Sequence, residues 1–162
     1  MQHCIILLRH GAASFDAFND HLRPLITAGR QEVQRTSGHL RPWLHKGTTR
    51  ILASDALRTR QTAEVLAGEC DIPESDILTD PELYGATPGL WLKKIPAAVT
   101  PGNTETLVCV GHNPTMSQLL NVLTGTTDHM RTASAAVIDT WWDGADVVLP
   151  ARLVDYFTAD GS

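Results

Sequence analysis

The chain is short of cysteine, of basic residues and of long apolar runs. Its three cysteines, Cys4, Cys70 and Cys109, are an odd number and include no CxxC pair, so they suggest neither a disulfide framework nor a thiolate zinc site. Cys4 and Cys109 lie in apolar runs and read as small buried hydrophobes, reduced as in a cytoplasm. Lys and Arg number 13 against 18 Asp and Glu, a net charge of −5. A nucleic-acid surface needs clustered cations, so no nucleic-acid partner is expected and any phosphate is bound locally. No stretch approaches the roughly 18 apolar residues that would span a bilayer, so no membrane partner is expected either. "MQHCIILLRHG" lacks the basic start and small-residue cleavage site of a secretory signal, which places it in the fold of a cytoplasmic protein. HExxH, a Cys-His cluster and a P-loop are also missing, so neither metal nor other cofactor is expected.

The hydrophobic fraction of 43% and charged fraction of 19% over 162 residues suit one globular domain spanning 1–162. A chain of this length buries roughly two thirds of its unfolded surface. No repeat, low-complexity tract or linker divides it.

"CIILL" (4–8) is a short continuous apolar run, the pattern of a strand buried on both faces. "HGAASFDAFNDHLRPL" has no period and reads as a functional-length loop. From Thr27, a candidate N-cap, Val33, Leu40, Trp43 and Leu44 share a helical face, with Gly38 and Pro42 against its continuity. "RILAS" (50–54) reads as a strand, and Ala56, Ala63, Leu66, Ala67 and Cys70 keep helical spacing after it. A brief strand at Ile77–Leu78 and a helix in "TPGLWLKKIPAAV", interrupted or ended near Pro96, follow. "ETLVCVG" (105–111) is a strand that stops abruptly. Pro114 suits the first turn of a helix faced by Met116, Leu119, Leu120 and Leu123. "SAAVIDTWW" and "VVLPARLVDYF" read as an antiparallel pair joined by "DGAD". Strands alternating with helices predict an α/β fold, helices on both faces of a mostly parallel sheet with the antiparallel pair at one side.

In such sheets ligands bind beyond the carboxyl ends of the strands. Two predicted strands end on histidine: Arg9-His10-Gly11 and Gly111-His112-Asn113-Pro114. The helix start after Asn113 offers backbone N–H groups to an anion, and the planar fork of Arg9 matches phosphate oxygens. A third strand end contributes "SDALRTRQTA", where Arg58 lies about one turn beyond Ser54. Arg60 is the competing choice, turned about 200 degrees from Arg58 on a helix. Neutral imidazole is a competent nucleophile near neutral pH, which makes His10 the candidate for a phosphoramidate intermediate. Gly11 would let the backbone turn closely beside the anion.

"LLRHGAAS", "SDALRTRQTA" and "VGHNPTMSQLL", in this order and at these spacings, resemble the histidine phosphatase superfamily, also called phosphoglycerate mutase-like. The resemblance covers nearly the whole chain; its short length, "HLRPLITAGRQE" and "VGHNP" are most similar to the SixA-type phosphohistidine phosphatases. It implies a three-layer α/β/α sandwich and a phosphorylated His10. It also implies Arg9, Arg58 and His112 around the phosphoryl oxygens, the Asn113 backbone beside them, and Arg23 of "LRPL" as a further ligand. Arg23 also reads as an exposed loop residue. Larger members protonate an alkoxide leaving group with a carboxylic acid; the matching region is "TDPELYGATPG". There Glu82, with Asp80 behind it, reads either as that acid or as a solvated carboxylate.

The longer insertion that presents the acid in larger members is absent. An imidazole leaves phosphorus readily with weak acid assistance, and an alkoxide does not. The sequence therefore favours phosphohistidine on a phosphorelay or phosphotransfer protein as substrate. The rivals are a phosphomonoesterase, or a mutase, on small phosphate esters, and a phosphate- or phosphoprotein-binding module without turnover.

Overall fold

The structure is a computed structural model and describes residues 2–100, 102–143 and 146–160. Its elements are β1 (Gln2–Arg9), α1 (Thr27–Leu40), β2 (Thr49–Ser54), α2 (Leu57–Glu69), β3 (Ile77–Asp80), α3 (Pro88–Ala98), β4 (Thr106–Gly111), α4 (Thr115–Thr124), β5 (Ala135–Asp143) and β6 (Asp146–Phe157). They form the expected α/β/α sandwich. One six-stranded sheet has the order β3-β2-β4-β1-β5-β6, with β1 to β4 mutually parallel and β5 antiparallel to both neighbours. The centre of the predicted "DGAD" turn, residues 144–145, lies outside the described residues.

The apolar run of β1 is continuous because both of its faces are covered. Ile5 and Leu7 pack with Trp91 and Ile95 of α3 and Met116 and Leu119 of α4, while Ile6 and Leu8 pack with Leu40 of α1 and Leu66 of α2. All four β1 side chains are fully buried, each contributing about 1.5–3 kcal/mol by leaving water. β4 repeats the scheme, with Leu107 and Cys109 on one face and Val108 and Val110 on the other.

Some local expectations shift. Ile26, not Thr27, is the N-cap of α1, and it makes no side-chain cap bond. The helix stops at Leu40, and Pro42 sits in a single 3-10 turn, Arg41–Trp43, that carries Leu44 back to the core. α3 runs two residues past Pro96, which lies in its last turn.

Connections leaving β1 and β2 run over the α1/α2 face, and those leaving β3 and β4 run over the other. At the carboxyl ends of the adjacent strands β1 and β4 the chain therefore diverges to opposite faces, opening the crevice where α/β sheets bind ligands. α1 closes against this edge: a Cβ on Gly29 would stand 2.1 Å from the Ala12 carbonyl oxygen. Gly38, on the same helix, has open space around it. Gly29→Ala is expected to destabilise by about 3 kcal/mol, the upper end of ordinary overpacking, lowering Tm by ~6–12 °C. Gly38→Ala should instead gain about 0.5–1 kcal/mol from helix propensity. Thermal melts of the two variants check both signs.

Candidate active site

The β1–β4 register pairs Arg9 with Gly111, so His10 and His112 are the next residues on two neighbouring strands. The His10 amide donates to the Gly111 carbonyl at 3.2 Å. The two rings lie 5.4 Å apart between centroids, tilted by 57°.

His10 is 8% exposed. Its Nδ1 lies 2.7 Å from the Gly11 carbonyl. A carbonyl only accepts, so Nδ1 carries the proton and Nε2 keeps its lone pair. Burial holds the imidazole down to about 3; the Gly11 bond opposes this, and His112, Arg58 and Arg9 add to it. The ring is neutral at neutral pH.

His112 is held by Ser54, the last residue of β2. Ser54 Oγ lies 2.9 Å from His112 Nε2 and accepts from the Ala56 amide at 3.3 Å. A Ser54 hydroxyl that donates to Nε2 leaves the His112 proton on Nδ1. That Nδ1 is buried and unpartnered. Burial, then the Arg58 charge, brings His112 down to about 4.

Two guanidiniums complete the cluster, and both lower the cost of an anion beside His10. Arg9 Nη1 donates to the Met130 carbonyl at 2.9 Å. Arg58, on the first turn of α2, is 6% exposed, whereas Arg60 is exposed on the far side of the helix. Arg58 Nη1 donates to the Asp20 carbonyl at 2.7 Å and Nη2 to Asp20 Oδ2 at 3.1 Å. The Nε atoms of Arg9 and Arg58 are buried without partners, so with His112 Nδ1 three buried nitrogens of this cluster carry no protein partner.

Asp20 is a residue that the sequence did not single out. It lies in a 3-10 turn of the loop after β1, Asp20–Leu22. Its carboxylate accepts from Arg58, from Tyr84 OH and, at 3.0 Å, from Arg23 Nη1. Tyr84, then Arg23 and Arg58, hold the Asp20 carboxyl well below the usual carboxylate range. Arg23 also donates from Nε to the Ser14 carbonyl at 2.7 Å and covers the Phe15 ring. It is thus fixed within the loop beside Arg58 through a shared carboxylate. Tyr84 meets His112 edge-on at 5.6 Å.

Glu82 is engaged elsewhere. Its Oε2 lies 3.0 Å from Lys94 Nζ, which also pairs with Asp80 at 2.8 Å, and its side chain is 64% exposed. The start of α4 is less open to an anion than its sequence implies, since the Met116 amide bonds to the His112 carbonyl and the Ser117 amide to Asn113 Oδ1. Asn113 Nδ2 donates to the same Met130 carbonyl that Arg9 uses. Gly11 answers to packing: its amide donates to Thr62 Oγ1 at 3.1 Å, and a Cβ there would lie 2.7 Å from the Gly29 carbonyl. Among the described residues no group of three or more His, Cys, Asp or Glu side chains is arranged to hold a metal ion, and no helix is long and apolar enough to cross a membrane.

A cluster of neutral imidazoles and guanidiniums with unused donors suits a phosphoryl group, and known proteins carry the same arrangement of chain. Residues 5–98 match the histidine phosphatase superfamily (branch 1). Phosphohistidine phosphatase SixA of Escherichia coli is 36% identical over 137 residues, covering 81% of each chain. An uncharacterized chloroplastic protein of Arabidopsis thaliana is 29% identical over 154 residues, covering 87% of this chain and 69% of its own. A solved structure of the protein histidine phosphatase SixA complexed with tungstate superposes with a TM-score of 0.81 at 25% identity, covering 99% of this chain and 98% of that one. The chain belongs to the histidine phosphatase superfamily and is a phosphatase.

Proposed function

We propose that this phosphatase works without a metal, through a phosphohistidine on His10, and removes phosphate from phosphohistidine in a phosphotransfer protein. One observation carries the mechanism: the Gly11 carbonyl fixes the His10 proton on Nδ1, which leaves an Nε2 lone pair in a cluster with three buried, unpartnered nitrogens. In the first step His10 Nε2 attacks phosphorus, and the bond to the leaving nitrogen breaks with its electron pair. In the second, water attacks phosphorus, and the P–Nε2 bond returns its pair to Nε2, releasing inorganic phosphate. Arg9, Arg58 and His112 Nδ1 hold the equatorial oxygens, where the transferred charge spreads. The Asn113 amide, at the same strand end, is a further donor, and Arg23 is a ligand reached through the loop.

The substrate class has two supports. The Escherichia coli relative is a phosphohistidine phosphatase, and Glu82, the carboxylate expected to protonate an alkoxide, is tied to Lys94, so a leaving imidazole, which needs the least acid assistance, fits best. Small phosphate esters are the second reading. We place the protein in the cytoplasm, where unpaired cysteines such as Cys4, Cys70 and Cys109 stay reduced.

His10→Ala is expected to abolish phosphate release and protein labelling from a radiolabelled phosphohistidine protein, while EDTA leaves the wild type fully active. Retained turnover in His10→Ala removes the mechanism. Glu82→Gln should change ester and P–N turnover by less than about 2-fold, as befits an exposed ion-paired carboxylate; a selective loss of ester turnover would restore Glu82 as the acid.

Nitrogen-detected NMR should find His10 as the neutral Nδ1–H tautomer from neutral pH down to about pH 4. Both rings titrate below the ordinary histidine value, so below pH ~6.5 the unfolded chain binds protons that the folded one refuses. The contribution of these rings to stability is therefore complete above that pH and declines as pH falls toward 4, which denaturant titrations across the range will follow.

A further inference from the structure

With Glu82 paired to Lys94, the reaction still needs a group that gives a proton to the leaving atom and takes one from the attacking water. The strand end that holds His112 also holds a second imidazole. Ser54 and Asp55 are consecutive residues at the end of β2; Ser54 Oγ meets His112 Nε2 at 2.9 Å, and Asp55 Oδ1 meets His21 Nε2 at 2.9 Å. A carboxylate only accepts, so His21 Nε2 carries a proton, and Asp55 fixes the orientation of the ring.

His21 sits on the rim of the phosphate cluster. It directly follows Asp20, whose carbonyl and carboxylate both bind Arg58. Its ring meets Tyr84 edge-on at 5.0 Å, and Tyr84 in turn meets His112 at 5.6 Å. His21 lies close enough to His112 for its charge to oppose protonation there. Its side chain is 36% exposed, so it lies open to an entering substrate, unlike His10. The leaving group of an in-line displacement lies across phosphorus from the nucleophile, away from the buried His10 and toward this rim. Imidazole is the side chain suited to give a proton in one step and take one in the next near neutral pH.

We propose that His21, oriented by Asp55, is the general acid and base of this phosphatase; the proposal rests on His10 being the nucleophile. In the first step His10 Nε2 attacks, the bond from phosphorus to the leaving atom breaks, and that atom takes the proton from His21 Nδ1–H. His21 is left neutral, with Nε2–H on Asp55. In the second step water attacks phosphorus, its proton passes to His21 Nδ1, and the P–Nε2 bond returns its pair to His10.

The test uses the full-length protein with dinitrophenyl phosphate, whose leaving group needs no proton, and phenyl phosphate, whose leaving group does. His21→Gln is expected to lower kcat/KM for phenyl phosphate by about 100-fold, the lower end of general acid catalysis, and for dinitrophenyl phosphate by less than about 3-fold. With dinitrophenyl phosphate it should also lower kcat and accumulate acid-labile phosphoenzyme, because hydrolysis of the intermediate loses its base. Asp55→Asn should show the same pattern, weaker by roughly 10-fold. Equal losses of kcat/KM on both esters, no loss on either, or a wild type unable to turn over phenyl phosphate would overturn the proposal. His10→Ala separates the two ideas: activity remaining in that variant sinks the nucleophile, whereas His21 fails alone if His10→Ala is dead and the leaving-group pattern is flat.

Discussion

The site depends on one pairing, the parallel hydrogen-bonded contact between β1 and β4. Its register sets Arg9 opposite Gly111, and from that alone two imidazoles from residues 102 positions apart in sequence emerge side by side. Both strands are buried on both faces, so neither can slip without turning its apolar side chains to the wrong layer. The nucleophile candidate is thereby mounted at the end of a buried strand paired along both edges, and its neutrality follows from the same burial. In the proposed mechanism the phosphoryl group meets an uncharged ring backed by fixed guanidiniums.

A cationic pocket in an acidic protein must be kept folded when no anion fills it. Here Asp20 answers that need: its carboxylate ties Arg58, Arg23 and Tyr84 together, and its backbone carbonyl takes a second bond from Arg58. The arginines keep their Nε edges unpartnered while their terminal nitrogens are fixed. One acidic loop residue thus orders the mouth of the site and moderates its positive charge. The Met130 carbonyl does the corresponding work on the other side, accepting from Arg9 and from Asn113.

The fold and half of the cluster were legible because their signals are local. Runs such as "IILL" and "LVCV" state that both faces are covered, and helical period sets Arg58 and Arg60 on different faces, of which the family resemblance chose Arg58, the buried one. Glu82 shows where this stops. Its place in the chain suggests an acid, but Lys94, twelve residues on and one turn from the end of α3, takes its carboxylate. Gly11 carried a true signal of close approach, and the neighbour that comes close in the structure is Gly29, eighteen residues away. The polar start of α4 likewise spends two of its amides on His112 and Asn113.

The sequence by itself determined the layer architecture and the three strand ends, because period, burial pattern and the residue after a strand are properties of short segments, and the resemblance of its motifs to a family singled out Arg9, His10, Arg58 and His112 as candidates. Tertiary structure alone decided which nitrogen of each imidazole is free, which carboxylate serves the arginines and which pairs with a lysine. Those outcomes rest on contacts such as Ser54 with His112, Asp20 with Tyr84 and His21 with Asp55, made across 58, 64 and 34 residues of chain. No local preference encodes such pairings, since each forms only when the sheet has fixed the positions of both partners.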